Sequence, residues 1–405
     1  MVTTVLIAGG GTGGHVFPMV AVGDAILASR DDVRVVYVGT ARGMESRICG
    51  ERGDHLELLD VAPLRGGGVG GFVRGVGRAF AVLPEARALV KRLDPKVCLS
   101  VGGYAGGPVA LAARMLGVPV AILEPNSILG LTNKLLSPMA ERAYTAFPET
   151  ERFLRPSVIR RLGVPLRRAF AEAPYEPTPG RFNVLAIGGS LGARFFNEAL
   201  PKAFALAIER IPNIDVRVLH QTGKESIDTV VGRYRELNVP VRGVDRTENT
   251  EIESSDRVTV TPFIADVASA LAAADLVIAR CGASSCAELC AVGRPGIFIP
   301  FPFAADNHQL VNARSLEQAG AVVALPQKDA TPEVIASKIA EIAADPARRI
   351  QMAKAAAKLG KPRAAADIAE DLLSLVRDGA VAQSISAHER TKREGGVLRI
   401  AEEAA

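Results

Sequence analysis

The chain of 405 residues carries a formal net charge of +4, and 48% of its residues are hydrophobic against 23% that are charged. This balance excludes a generally disordered protein, and the length exceeds what one hydrophobic core usually supports, so we expect two domains. The weakly positive charge does not identify a partner by itself, and we predict no binding of nucleic acid. The five cysteines are odd in number, scattered and without metal-ligand spacing, which favours a reducing, cytosolic interior and no metal site.

The N-terminus begins with a β-strand, without the basic leader and apolar run of a secretory signal, and no run of about 18 apolar residues predicts a transmembrane span. In the first half, short β-branched runs alternate with helical stretches, which is the βαβ pattern of a parallel sheet. The pattern starts again after residues 173–180, whose prolines suit a domain linker. The predicted strands are residues 2–8, 33–38, 97–101, 119–123 and 142–147 in the first half, and 182–187, 216–219, 258–260, 276–279 and 296–299 in the second.

The two halves begin alike, each with a strand that runs into a glycine turn and then a helix. The turns are residues 9–14 and 188–192, and such twin openings predict two similar domains that face each other across a cleft. Glycine lets backbone N–H groups approach an oxygen anion, and the helix points its positive end at the same place, so both turns are candidate phosphate sites. The first turn also fits the dinucleotide pattern G-x-G-x-x-G, but the second strand ends in Gly39 and Thr40 without the acidic residue that binds a nicotinamide ribose. The sequence therefore disfavours a dehydrogenase.

Polar residues next to the predicted strand ends are the other candidates for chemistry. His15 directly follows the first turn, where it either exchanges a proton, donates to a phosphate, or bonds only to backbone. Glu288 lies about one turn into a helix, where a carboxylate either accepts from vicinal ribose hydroxyls or complements the helix dipole. The polar cluster at 306–309 suits sugar hydroxyls, but a helix start also favours such residues.

The stretch 64–92 mixes basic and apolar residues and contains a single acid, Glu85. This mixture suits the surface of an anionic bilayer. A loop followed by an ordinary amphipathic helix is the alternative. The basic residues of the stretch are Arg65, Arg74, Arg78, Arg87, Lys91 and Arg92.

Taken together, these segments resemble the MurG family of GT-B transferases over nearly the whole chain. The resemblance rests on four blocks, at 9–18, at 102–104 with 124–126, at 188–192, and at 280–288 with 306–309. It implies an α/β protein with the GT-B fold, two Rossmann-like doubly wound domains facing across a cleft. It also implies transfer of N-acetylglucosamine from UDP-N-acetylglucosamine to the C4 hydroxyl of the N-acetylmuramyl unit of lipid I, which forms lipid II in peptidoglycan synthesis.

The resemblance further implies roles for individual residues. The catalytic candidates are His15 as the base, Asn126 and Arg167. The donor UDP-N-acetylglucosamine would contact Thr12, Gly13, Gly14, Asn126, Arg167, Ser190, Ile264, Ser285, Glu288 and Gln309. The acceptor would contact Thr12, Gly13, Gly14, His15, Tyr104 and Asn126. Four positions depart from the family pattern without removing a required charge: Pro125, Val164, Cys281 and Ser285.

The expected organisation follows from the same resemblance. Residues 1–165 are expected to form an acceptor-binding and membrane-associating domain, and 182–360 a UDP-sugar-binding domain after a linker at 166–181. Residues 361–380 are expected to form a helix that packs back toward the N-terminal domain, and 381–405 a mobile tail. The expected location is the cytoplasmic face of the inner membrane, with lipid I, the anionic membrane surface around 64–92, and proteins of cell-wall synthesis and division as partners.

The implied mechanism is a single displacement that inverts the anomeric centre. No Asp-x-Asp metal clamp stands at a plausible strand end, so we expect no cofactor; helix dipoles, backbone donors and Arg167 would stabilise the departing diphosphate. Other readings are a GT-B transferase for a different lipid acceptor such as diacylglycerol, a UDP-sugar epimerase of similar fold, and a non-catalytic nucleotide-sugar-binding protein.

Overall fold

The computed structural model describes residues 2–11, 13–61, 81–189, 192–244 and 256–376. The first half of the chain forms a seven-stranded sheet in the order β3-β2-β1-β4-β5-β6-β7. Every neighbouring pair is parallel, so the carboxyl ends of the strands meet at one edge. The strands are β1 (Thr3–Ala8), β2 (Val33–Gly39), β3 (Leu56–Leu58), β4 (Val97–Ser100), β5 (Val120–Glu124), β6 (Arg142–Thr145) and β7 (Ile159–Arg160).

Helices cover both faces of this first sheet. Leu6 and Ala8 pack into the hydrophobic cluster on one face, whereas Val5 and Ile7 pack into the cluster on the other, because successive strand side chains point to opposite sides. Burial on both faces explains why the strands read as continuous apolar runs. The helices are α1 (Gly13–Ser29), α2 (Met44–Arg52), α3 (Leu83–Leu93), α4 (Gly103–Met115), α5 (Leu131–Leu136) and α6 (Pro148–Glu151).

The second half repeats this architecture, with the strand order β10-β11-β9-β8-β12-β13-β14. In each sheet the strand order reverses beside the first strand, which is where ligands bind in doubly wound folds. The strands are β8 (Arg181–Ile187), β9 (Asp215–Gln221), β10 (Val241–Gly243), β11 (Val258–Thr261), β12 (Leu276–Ala279), β13 (Gly296–Phe298) and β14 (Val322–Ala324). The helices are α7 (Arg194–Arg210), α8 (Ile227–Glu236), α9 (Val267–Ala272), α10 (Ala283–Val292), α11 (His308–Gln318), α12 (Pro332–Ala343), α13 (Pro346–Leu359) and α14 (Ala364–Leu373).

The structure confirms the predicted α/β fold with two doubly wound sheets, and it adds four strands that the sequence pattern missed. These strands are β3, β7, β10 and β14, and each is an edge strand of two or three residues. Such short segments contain too few residues to display an apolar alternation. They widen the sheets without changing the central strands that position the site.

The segment between the two sheets is irregular but firmly attached to the second half. The Tyr175 hydroxyl donates to Asp275 Oδ1 at 2.8 Å and accepts from Arg349 Nε at 3.0 Å. At the other end of the chain, α14 packs against the first half, where Ile368 and Leu372 join the cluster that contains Val5 and Ile7. The Tyr144 hydroxyl donates to Asp371 on α14 at 2.9 Å. The chain therefore crosses between the halves twice.

All five cysteines are buried and free. Cys281 precedes the N-cap Gly282 of α10 and Cys286 is the fourth residue of that helix. Their Sγ atoms are 3.1 Å apart, and this pairing of the residue before the cap with the fourth helical residue is a hydrophobic staple. It fixes the direction in which the chain enters α10.

Several predictions fall on residues outside the described ranges. They include the site residues Thr12 and Ser190, the tail 381–405, and residues 64–80 of the basic and apolar stretch. Within the described part of the chain, no helix is both long and apolar enough to cross a membrane.

Candidate functional site

Two glycine turns of the first half touch at the carboxyl edge of the sheet, because β1 and β4 are neighbours. Gly102 and Gly103, which follow β4, have φ angles of +85° and +75°, a region that favours glycine. A Cβ atom at Gly103 would lie 2.4 Å from the carbonyl oxygen of Gly10. The two turns can approach this closely only because neither carries a side chain.

A fully buried carboxylate, Glu45, lies beneath the first glycine turn. One of its oxygens accepts from the Gly11 N–H at 2.8 Å, and the other accepts from the N–H and hydroxyl of Thr40 at 2.8 and 3.0 Å. Cβ atoms at three glycines would come within 2.3 Å of the Glu45 side chain, namely Gly10, Gly39 and Gly43. These three glycines form a cage around Glu45, and a larger residue at any of them would clash with its side chain.

The hydrogen bonds of Glu45 reduce the number of N–H groups that the first glycine turn can offer to a phosphate. The Gly11 N–H donates to Glu45 and is not directed at a ligand. Gly13 and Gly14 begin α1, and the first N–H groups of a helix have no intrahelical partner. The start of α1, rather than the whole glycine turn, is therefore the part of this edge that suits an anion. Glu45 was missed by the sequence analysis, since nothing near it in the chain marks it as a site residue.

A cavity of about 330 Å³ opens above the first sheet and contains several predicted acceptor residues. The structure brings His15, Tyr104 and Asn126 together in its wall. Asp306 and His308 of the second half line the same cavity. The cavity is therefore built from both halves of the chain.

His15 lies in this wall at the first turn of α1. Burial lowers its pKa from the ordinary 6.5, electrostatic interaction with the neighbouring His308 adds to this effect, and the Gly10 backbone and Glu45 oppose it. The imidazole is therefore neutral at pH 7, which is the form that accepts a proton from a hydroxyl.

Glu124 ends β5 and is a buried acid in the wall of this cavity. Its carboxylate accepts hydrogen bonds from the Gly130 N–H at 2.8 Å, from Asn133 Nδ2 at 3.1 Å, and from the N–H and Nδ2 of Asn126 at 3.2 and 3.3 Å. Burial raises the pKa of Glu124, and these four hydrogen bonds oppose the shift. Glu124 thus fixes the side chain of Asn126, a role that the sequence analysis did not assign although it singled out this segment.

A second cavity, of about 630 Å³, lies at the carboxyl edge of the second sheet. Gly192 has a φ angle of +75°, and a Cβ atom there would lie 2.0 Å from the Thr222 carbonyl oxygen, so this turn also requires glycine. Ser285 and Gln309 line the cavity. The Gln309 carbonyl oxygen accepts from the Phe301 N–H at 2.9 Å, so its amide nitrogen is the end that can donate to a ligand.

Arg280 supplies a fixed positive charge in this second cavity. Its guanidinium donates to the Ile299 and Pro300 carbonyls at 3.0 and 3.2 Å and to Gln327 Oε1 at 2.8 Å. It also lies 4.8 Å from the centre of the Phe196 ring. Burial lowers the pKa of Arg280 to about 10, so the group stays charged near pH 7. No local sequence pattern marks Arg280 as a ligand contact.

Arg167 and Glu288 lie close to the junction of the two halves. The Arg167 guanidinium is 5.8 Å from the ring of Phe17 on α1 and 5.5 Å from the ring of Phe170 in the connecting segment. Burial raises the pKa of Glu288 to about 7, and the positive charge of Arg167 opposes the increase. Ile264 is only 2% exposed as a whole residue, and it belongs to the hydrophobic cluster that contains Leu289 and Phe298.

No cluster of three or more His, Cys, Asp and Glu side chains that suits a metal ion occurs in the described ranges. Among the described residues, the positively charged groups near the two sheet edges include the guanidinium groups of Arg167, Arg194 and Arg280. The N-termini of α1, α7 and α10 add partial positive charge. Together these groups suit two anionic ligands, one at each sheet edge.

Comparison with known proteins agrees with this geometry. Residues 5–145 match the model of the glycosyltransferase family 28 N-terminal domain, and residues 183–370 match that of the glycosyltransferase family 28 C-terminal domain. A protein of Sorangium cellulosum is 61% identical over 92% of this chain and 89% of its own length. A protein of Anaeromyxobacter sp. strain K is 40% identical over 92% of this chain and 93% of its own length.

Both relatives carry the same name, UDP-N-acetylglucosamine–N-acetylmuramyl-(pentapeptide) pyrophosphoryl-undecaprenol N-acetylglucosamine transferase. The crystal structure of MurG from Acinetobacter baumannii superposes with a TM-score of 0.73 at 28% identity, over 92% of this chain and 99% of that chain. The chain therefore belongs to glycosyltransferase family 28, in the MurG family of N-acetylglucosamine transferases.

Proposed function

We propose that this glycosyltransferase moves N-acetylglucosamine from UDP-N-acetylglucosamine to the C4 hydroxyl of the N-acetylmuramyl unit of lipid I, with inversion at the anomeric carbon. The observation that carries the proposal is the pair of cavities at the two sheet edges, one of which has walls from both halves of the chain. A donor bound to one half and an acceptor bound to the other would meet between them. The names of the relatives supply the identity of the two substrates.

The donor is proposed to occupy the second half. The diphosphate would lie against the N-termini of α7 and α10, near Ser190 and Ser285, with Arg280 as a nearby cation in the cavity wall. Glu288 would accept hydrogen bonds from the ribose hydroxyls, Ile264 would lie beside the uracil, and the Gln309 amide nitrogen would donate to the sugar. Helix N-termini and arginines would then stabilise the leaving UDP without a metal ion. A transfer rate that is equal in excess EDTA and in magnesium is the expected result, and loss of transfer in EDTA would contradict this part.

The acceptor is proposed to occupy the cavity of the first half. Its diphosphate would lie at residues 12–14, where α1 begins, and its sugar near His15, Tyr104 and Asn126. As the C4 oxygen bonds to the anomeric carbon and the bond to UDP breaks, neutral His15 would take the hydroxyl proton. Arg167, at the junction, would reach toward the donor phosphates.

We propose peripheral attachment to the cytoplasmic face of the membrane, and exposed apolar side chains beside the acceptor cavity support contact with a lipid surface. Leu131 is 41% exposed and also lines the cavity, and Leu135 and Phe153 are 57% and 40% exposed. The basic groups of Lys134 and Arg152 lie 5.9 and 4.7 Å from the Phe153 ring centre. Apolar side chains flanked by cations suit an anionic bilayer, in addition to the basic stretch at 64–92.

The substrate proposal is tested by measuring UDP release with lipid I, with diacylglycerol, and with no acceptor. We expect UDP release only in the reaction that contains lipid I, together with formation of lipid II. Equal release with diacylglycerol would indicate a different lipid acceptor, and conversion of the donor to its C2 epimer without acceptor would indicate an epimerase. Binding of UDP-N-acetylglucosamine with no release under any condition would indicate a protein that only binds nucleotide sugars.

The proposed base is tested with His15→Ala and a soluble acceptor analogue. A loss of turnover of about 100-fold or more is expected from removal of a general base. Turnover within a few fold of the wild type would exclude the base role and leave His15 as a diphosphate contact.

Membrane attachment is tested by flotation with anionic vesicles. Replacement of Leu135 by Glu, and of Arg74 and Arg78 by Glu, is expected to weaken the binding. Unchanged flotation of both variants would contradict the proposed surface.

A further inference from the structure

Asn312 on α11 is fully buried, and its amide joins the two halves of the chain. Its Oδ1 accepts a hydrogen bond from the Ser127 N–H of the first half at 3.1 Å. Its Nδ2 donates to the Cys281 carbonyl oxygen of the second half at 3.1 Å. Both ends of one side chain are therefore used by backbone groups that lie on opposite sides of the cleft.

The two backbone groups are next to the two cavities. Ser127 follows Asn126 in the acceptor cavity, and Cys281 precedes Gly282 in the donor cavity. The Ser127 hydroxyl also donates to the His308 carbonyl oxygen at 3.4 Å. The helix that carries Asn312 begins with His308, which lines the acceptor cavity, and the next residue lines the donor cavity.

We infer that Asn312 is a positioning residue, which holds the acceptor loop at 126–127 and the donor turn at 281–282 at the separation that sugar transfer requires. The inference rests on the proposed function, because it assigns the two loops to the acceptor and the donor. It adds a residue that touches neither substrate in that proposal.

Only an amide of this length meets both requirements of the site. The Ser127 N–H needs an acceptor, and the Cys281 carbonyl needs a donor. Aspartate offers acceptors only, so its charge would face the Cys281 carbonyl oxygen, and leucine of similar volume offers neither group. Aspartate leaves the buried Cys281 carbonyl without a donor, and leucine leaves both backbone groups without a partner. Either loss favours separation of the two halves.

Separation of the two halves should change the binding of the donor and of the acceptor by different amounts. When only a fraction of the molecules has the competent arrangement, apparent affinity falls by that fraction. Donor affinity measured without acceptor depends mainly on the second half, so it should change little. The acceptor KM, and the gain in donor affinity caused by bound acceptor, should change most, because they require both halves.

The test compares Asn312→Leu and Asn312→Asp with the wild type and with Asp371→Asn. Asp371 joins α14 to Tyr144 and Arg142 of the first half and lines neither cavity, so it controls for a general loss of stability. For both Asn312 variants, kcat/KM for a soluble acceptor is expected to fall about tenfold or more, while the UDP-N-acetylglucosamine Kd without acceptor stays within about twofold of the wild type. The control is expected to keep both values.

Amide hydrogen exchange at Ser127 gives a second measurement that needs no substrate. Faster exchange at this amide is expected in Asn312→Leu, with unchanged exchange in the strands of both sheets. Exchange at the wild-type rate, or a kcat/KM loss that Asp371→Asn reproduces, would overturn the inference. If the wild type fails to bind UDP-N-acetylglucosamine, the proposed function is wrong, whereas the exchange result still decides whether Asn312 holds the two loops together.

Discussion

The pKa of Glu288 predicts that donor binding depends on pH. Burial raises this pKa to about 7 in the unliganded protein, whereas ribose hydroxyls donate hydrogen bonds and so favour the ionised carboxylate. Donor binding therefore requires loss of a proton from the protonated fraction, and affinity rises as pH rises through the pKa. With a pKa of about 7, the apparent Kd at pH 6 is about tenfold that at pH 8, equivalent to about 1.4 kcal/mol.

Calorimetry with UDP-N-acetylglucosamine between about pH 6 and pH 8 measures this linkage. The diphosphate of this donor is esterified at both ends and does not itself titrate in that range. Titrations in buffers of different ionisation enthalpy should show release of about half a proton per donor at pH 7. Glu288→Gln, which cannot ionise, is the matched control, and its Kd should be weak and independent of pH. A pH dependence that persists in Glu288→Gln, or a flat profile in the wild type, would refute the reasoning.

Three further predictions concern stability and reactivity. Glu45→Ala should lower the free energy of unfolding by about 3 kcal/mol or more, because the N–H groups of Gly11 and Thr40 lose their acceptor and a cavity opens. A loss below about 1 kcal/mol in a denaturant titration would contradict this. Thiol titration of the native protein should find no fast-reacting cysteine, since all five are buried and burial raises the pKa of Cys98 to about 12; one rapidly modified thiol per chain would be inconsistent with the packing. Asp371→Asn should cost about 1 kcal/mol by weakening the hydrogen bond from Tyr144, and an unchanged free energy of unfolding in a denaturant titration would contradict this.

The central strands were predictable from the sequence because they are buried on both faces. Apolar runs such as residues 276–279 and 296–299 have few other interpretations when they alternate with helices. The edge strands β3 and β14 have only three residues each, and such pairing depends on a neighbouring strand that lies far away in the chain. The glycine turns were also predictable, because each turn joins a strand to a helix within a few residues of sequence.

Some features of the candidate site were predictable from the sequence, and others were not. The sequence by itself determined the two-domain α/β fold, the glycine turns, and polar candidates such as His15 and Glu288, because these features are written in short local patterns. Only the tertiary structure revealed that Glu45 occupies a cage of three glycines and takes the Gly11 N–H, across a separation of 34 residues. It likewise revealed the hydrogen bond from Ser127 to Asn312, 185 residues apart. A buried hydrogen bond needs a donor and an acceptor within about 3 Å, and such proximity between distant segments is decided by packing, which no local pattern records.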